Sequence, residues 1–194
     1  MVQPCTLPEY TKVKYNKVGW LYYNAIIELV EEYPVEQITV QMILDKTETS
    51  RSTFYKYFSD KFALMHYVHY YDVIRSNMQV APEVLPVFYR QKIEFYKGLF
   101  AYEGQNSFRE FHRHFWVNNF RNNYIEQYGA ASYTPIINNC FLFYVDGLYS
   151  MMKEWILSDC ASLSDDEILS VSRYFYPAPL TEKNIVDLKE LIKV

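Results

Sequence analysis

The sequence predicts an all-α protein, and three observations carry that reading. Apolar residues recur every three or four positions through most of the chain. No stretch of any length alternates apolar and polar with the period of a strand. Prolines mark the breaks between periodic runs, as at Pro34, Pro82 and Pro86, and at Pro177 and Pro179. Half of the 194 residues are apolar and only 5 are glycine, which suits one or two domains with a real core.

The first helix is expected over 12–33, where Val18, Leu21, Tyr22, Ala25, Ile26, Leu29 and Tyr33 share one stripe and Pro34 stops the run. Thr39 is the expected N-cap of a short helix over Val40–Asp45 that buries Val40, Ile43 and Leu44. After the turn Lys46–Thr49, Ser50 caps a third helix running to about Phe58. Ser59 is read as the cap of a long fourth helix reaching toward Gln79. Beyond the prolines at 82 and 86, helices are expected near 87–102, 107–127, 134–158 and 164–176. Gly104, Gly129 with Pro135, and the polar run SDCASLSDD separate them. A last amphipathic stripe over 181–193 holds Ile185, Leu188, Leu191 and Ile192.

Three short helices, the second and third joined by a tight turn, describe a helix-turn-helix. The third must then serve two environments. Phe54 and Phe58, four apart, face inward and fasten it to the first two helices. Its other flank faces out: Arg51 suits a guanine edge, Thr53 a phosphate or a thymine methyl, and Tyr55 and Lys56 reach phosphates. Lys61 adds a cation near backbone amides. A solvated surface helix would carry the same residue types singly; the constellation favours DNA.

The run Ile38-Thr39-Val40, Ile43, Ser50, Thr53-Phe54-Tyr55, Tyr57-Phe58 and Lys61 closely resembles the N-terminal signature of TetR-type regulators, over about residues 12–65. TFYKYFSDKFAL is most similar to a Gram-positive-type branch that includes regulators of dihydroxyacetone metabolism. Phe143, Gly147, Trp155 and the acidic SDDE fit that branch. The resemblance implies a DNA-binding head over residues 1–60 and a larger helical body over 61–194 that dimerises and takes a small-molecule effector. It implies DNA contacts at Thr39, Ser50, Arg51, Ser52, Thr53, Tyr55, Lys56 and Lys61. The family usually carries glycine where this chain has Glu48 and Ser52. A left-handed Glu48 would cost about 1–2 kcal/mol.

In the body, Gly147 lies mid-helix, at a cost of about 1 kcal/mol against Ala. A close helix–helix approach would recover it. Phe143, Tyr144, Leu148, Met151 and Trp155 flank it, and this helix and the one over 164–176 are expected to form a four-helix dimer interface. An intramolecular core would use the same residues. For a ligand cavity, Phe111, Phe115 and Trp116 supply apolar walls. His112, Asn119, Asn123, Tyr124 and Asn139 supply polar anchors. The chain is unusually aromatic, with 20 Tyr and 13 Phe, and that stripe would equally serve as plain core.

Other functions find less support. His66, His69 and Asp72 recur three apart on one helix, and His112 and His114 point to different faces, so no metal site or other cofactor is expected. No nucleophile–base–acid set or phosphate-cradling glycine loop appears, so no enzyme is expected. Cys5, Cys140 and Cys160 are far apart and odd in number, as in a reduced cytoplasmic setting. The start MVQPCTLPEY lacks a secretory pattern, and no apolar run approaches the roughly 20 residues of a membrane span. The expectation is a cytoplasmic homodimeric repressor that binds double-stranded DNA at a palindromic operator. The competing one is a TetR-like coactivator or sensor acting through a protein or metabolite partner.

Overall fold

The computed structural model describes residues 17–76 and 85–175. The proposed helix over 181–193, the start of the first helix at 12–16 and the last residues of the fourth at 77–79 lie outside them. Among the described residues there are nine α-helices, a short 3-10 turn at Ala130–Ser132 and no strand. In chain order they are α1 (Lys17–Glu32), α2 (Val40–Thr47), α3 (Arg51–Tyr55), α4 (Lys61–Ser76), α5 (Leu85–Arg90), α6 (Ile93–Ala101), α7 (Phe108–Tyr128), α8 (Pro135–Leu157) and α9 (Asp165–Phe175). An N-terminal helix-turn-helix head is followed by a larger helical body.

Local chemistry explains most boundaries. Thr39 caps α2 by accepting the Met42 N–H at 3.2 Å. At α9 a full capping box forms: the Ser164 hydroxyl accepts the Glu167 N–H, and the Glu167 carboxylate accepts the Ser164 N–H at 2.8 Å. Two expectations are corrected. The cap of α4 is Asp60 rather than Ser59, since the Asp60 carboxylate accepts the Ala63 N–H at 2.8 Å. The helix expected over 87–102 is two helices, broken at Gln91–Lys92, where Lys92 takes φ −140° and ψ 48°. Phe88 and Tyr89 before the break and Phe95 and Tyr96 after it are all buried, so the apolar phase passes through the break unchanged.

One hydrophobic cluster runs from Tyr22, Phe54 and Phe58 in the head through Leu64 and Val68 of α4 to Tyr149, Trp155 and Ile168 in the body. Helix α1 packs on α2, α4 and α6, and α8 packs on α6 and α7. The α1–α6 approach needs a glycine: a Cβ at Gly98 would lie 2.5 Å from a methyl of Val30. Arg90 of α5 ties α9 down, pairing with Asp165 at 2.7 Å while its guanidinium lies 5.0 Å over the Trp155 ring.

Candidate nucleic-acid interface

The third helix is short, and its two faces are separated cleanly. Phe54 and Phe58 are 0% and 1% exposed. Both meet the Tyr22 ring of α1 edge-on, at 5.4 and 5.9 Å between centroids. The α-helical turns stop at Tyr55 rather than at Phe58, but the Phe58 N–H still donates to the Phe54 carbonyl at 3.0 Å, which holds the second ring in place.

The turn into this helix is set by Glu48, which takes the left-handed conformation with φ 52° and ψ 38°. Its own N–H donates to the Leu44 carbonyl, as does the N–H of Thr49 at 3.2 Å. A chain of hydroxyls supports the same corner. Tyr22 meets Thr49 at 2.8 Å, Thr49 meets Thr47 at 2.9 Å, and Thr47 donates to the Ile43 carbonyl at 2.7 Å. These bonds offset the backbone cost of a residue with a side chain at this position. The Lys46 ammonium next to the turn bridges Glu28 at 2.7 Å and Glu32 at 3.6 Å on α1, and the Glu28 hydrogen bond raises its pKa.

Most of the expected contact residues fall on one outward patch. Ser50 caps α3: its hydroxyl accepts the Thr53 N–H at 3.1 Å and lies 2.8 and 2.9 Å from the hydroxyls of Thr53 and Ser52. Thr39, Ser50, Arg51, Ser52, Tyr55 and Lys56 are exposed, Tyr55 by 50%, and Thr53 is half-buried. Gln41 on α2 joins them, although sequence reasoning did not single it out. Its side-chain carbonyl accepts the Arg51 guanidinium at 3.3 Å, and its amide donates to Asp45 at 2.7 Å. Its signal was a polar residue two positions before Ile43, and so on the opposite side of α2 from that buried side chain.

Lys61 is the exception within the set. Its ammonium turns back on the loop between α1 and α2 and donates to the carbonyls of Val35 at 2.5 Å, Ile38 at 2.6 Å and Glu36 at 3.3 Å. Burial lowers its pKa. In this arrangement the side chain fastens the loop that precedes Thr39.

The other expected sites divide. Phe143 is 79% exposed and Gly147 is open, with nothing within 4 Å of where a Cβ would stand. With Ile136, Leu148, Met151 and Val171 they line an apolar groove of about 770 Å³ along α8 and α9. Tyr144 lines it too, donating its hydroxyl to the Ser172 carbonyl at 3.3 Å. Trp155, expected on that outer face, is 0% exposed inside its own chain, because its indole N–H is drawn to the Leu163 carbonyl at 2.9 Å.

The expected ligand residues fall in several places among the described residues. Phe111, His112, Phe115 and Trp116 are buried among rings, and Tyr124 belongs to a separate small cluster with Ile137 and Phe141. Asn123 is exposed and donates to Asn119 at 2.9 Å, while Asn139 lies in the outer groove. His112 and His66 are pushed down to about 3 by burial, and His69, fully enclosed, is lowered well below its usual value. The buried Nε2 of His69, Nδ1 of His112 and Nε1 of Trp116 have no hydrogen-bond partner among the described residues.

A left-handed turn leading into a short helix, held inward by two phenylalanines and polar outside, defines the class: a helix-turn-helix DNA-binding head on an all-α body. Residues 23–68 match the family model described as bacterial regulatory proteins, tetR family. Over that span the chain is similar to the N-terminal segment of that family, and the match supports a DNA-binding transcription regulator. A solved structure described as dihydroxyacetone kinase operon activator DhaS superposes with a TM-score of 0.51 at 14% identity, covering 82% of this chain and 92% of its own. At that identity the likeness is one of fold. No curated protein sequence matches the chain significantly. Among the described residues no helix is long and apolar enough to cross a membrane.

Proposed function

We propose that this chain is a non-enzymatic, cytoplasmic, homodimeric repressor that reads a palindromic operator. Residues 1–60 act as the head and 61–194 as the regulatory body. The observation that carries the reading is the outward patch of Thr39, Gln41, Ser50, Arg51, Ser52, Thr53, Tyr55 and Lys56, backed by the buried Phe54–Phe58 pair. Two heads held by a two-fold interface would place α3 in successive major grooves, about 34 Å apart. Support for the interface is the knob and hollow on one face, Phe143 protruding and Gly147 leaving room, which is what a self-complementary contact needs.

Effector sensing falls to the interior around His112 and Trp116, whose buried Nδ1 and Nε1 have no hydrogen-bond partner among the described residues. A ligand that satisfied them would shift the body and, through it, the head. The same apolar groove also suits a different protein chain, in which case the molecule would work as a coactivator or sensor; the mass of the purified chain in solution separates the two.

The test is selection of bound DNA from a random library. The wild type should enrich a palindrome, and Arg51→Ala should relax preference at one position of each half-site by about 1–3 kcal/mol. A wild type that enriches nothing, or an Arg51→Ala variant with unchanged preference, would contradict this assignment.

A further inference from the structure

Two side chains, Tyr23 of α1 and Lys92 at the α5–α6 break, converge on the carboxylate of Asp72 beside the head. Asp72 of α4 has a side chain only 11% exposed and receives the Lys92 ammonium at 2.6 Å. It also accepts the hydroxyl proton of Tyr23 from α1 at 2.5 Å. Lys92 donates to that same hydroxyl and lies 5.0 Å over the Tyr23 ring, on which Trp20 stacks at 4.6 Å. Lys92 is also the residue at which α5 breaks from α6.

Helices α1 and α6 touch a second time at Val30 and Gly98. Tyr23 precedes Val30 on α1 as Lys92 precedes Gly98 on α6, so the two meeting points lie about 10 Å apart along both helices. They differ in kind. At Gly98 bare backbone meets a methyl group, with no directional bond to break. At Asp72 the contact is charge-assisted and depends steeply on geometry. Partly buried ion pairs add little net stability, because desolvation offsets attraction, and in some proteins they serve to select one arrangement over its neighbours.

We propose that Tyr23, Asp72 and Lys92 form a releasable latch that sets the angle of the head on the body, with Gly98 as the pivot and the α5–α6 break as the part that opens it. This rests on the regulator reading above. The interior reaches both sides of the latch. His69 sits one turn before Asp72 on α4, and its Nδ1 lies 3.3 Å from the hydroxyl of Tyr96, one turn after Lys92 on α6. A change in the packing around His69 therefore bears on Asp72 through one helix and on Lys92 through the other.

The experiment measures the distance between nitroxide labels at Glu31→Cys on the head and Asn122→Cys on the body. It uses the full chain on a Cys5→Ser, Cys140→Ser background, diluted with unlabelled protein so that each pair reports one chain. The parent should give one narrow distribution. Tyr23→Phe, which removes a single oxygen, and the paired Asp72→Asn, Lys92→Met variant should each at least double its width. Both should weaken binding to the library-selected operator about fivefold or more, with affinity for unselected DNA unchanged. Should the paired variant fail to fold, Tyr23→Phe decides alone. Parent-like widths in a folded variant overturn the latch, and broadened widths with parent-like operator affinity overturn its regulatory role. A parent chain that enriches no DNA sequence overturns the regulator reading instead, while the widths still judge the latch.

Discussion

Glu48 holds a backbone conformation that costs most residues about 1–2 kcal/mol and glycine almost nothing. Glu48→Gly should therefore raise head stability by up to about 1 kcal/mol, read as a higher melting temperature, with the fold unchanged. The sequence flagged this position because a glutamate stood where similar heads carry glycine. It gave no hint of the Tyr22–Thr49–Thr47 hydroxyl chain that holds the corner, since those residues are far apart in sequence or look like ordinary turn polarity. Lys61 was legible as a cation at the right place but not as a side chain that turns inward. Its three carbonyl partners predict that Lys61→Met lowers stability by about 1–3 kcal/mol and leaves the salt dependence of DNA binding unchanged. A phosphate contact would instead flatten that slope by about one unit.

At the scale of elements, periodicity located most helices within a few residues, because each buries one stripe. It could not see the α5–α6 break, where Phe88, Tyr89, Phe95 and Tyr96 keep the same phase on either side. Nor could it tell core from cavity along α7. There Phe111, Phe115 and Trp116 close on His66, His69 and His112 with ring contacts such as the 4.3 Å stack of His66 on Phe111. Burial keeps these imidazoles neutral in the folded state, with His66 and His112 down to about 3, while the unfolded chain takes up protons near 6.5. Stability from this cluster is complete above that pH and declines as pH falls toward 3, by at most about 1.4 kcal/mol per pH unit for each histidine. Thermal melts between pH 7 and pH 4 should show the decline, and His112→Leu should make it shallower. A slope that His112→Leu leaves unchanged would assign the acid sensitivity elsewhere.

At the scale of the molecule, the exposed Phe143 and the open groove beside Gly147 predict how chains associate. Phe143→Asp should convert a dimer to monomer by light scattering and, by halving the number of heads per particle, weaken operator binding at least about a hundredfold. The melting temperature of the separated chain should change little, since that side chain touches almost nothing of its own. A variant that stays dimeric would move the interface to another face.

The unbroken interior from Tyr22 to Ile168 also decides how the protein could be taken apart. Because Phe58 rests on Tyr67 at 5.3 Å and α1 lies against α6, there is no seam at which to cut. A fragment ending near residue 60 would leave greasy surface bare. Swapping this head onto a foreign body would require carrying α4 and the α1-facing side of α6 along with it. Lineages that exchange operators would be expected to do so by editing the outward patch residue by residue, rather than by shuffling whole heads.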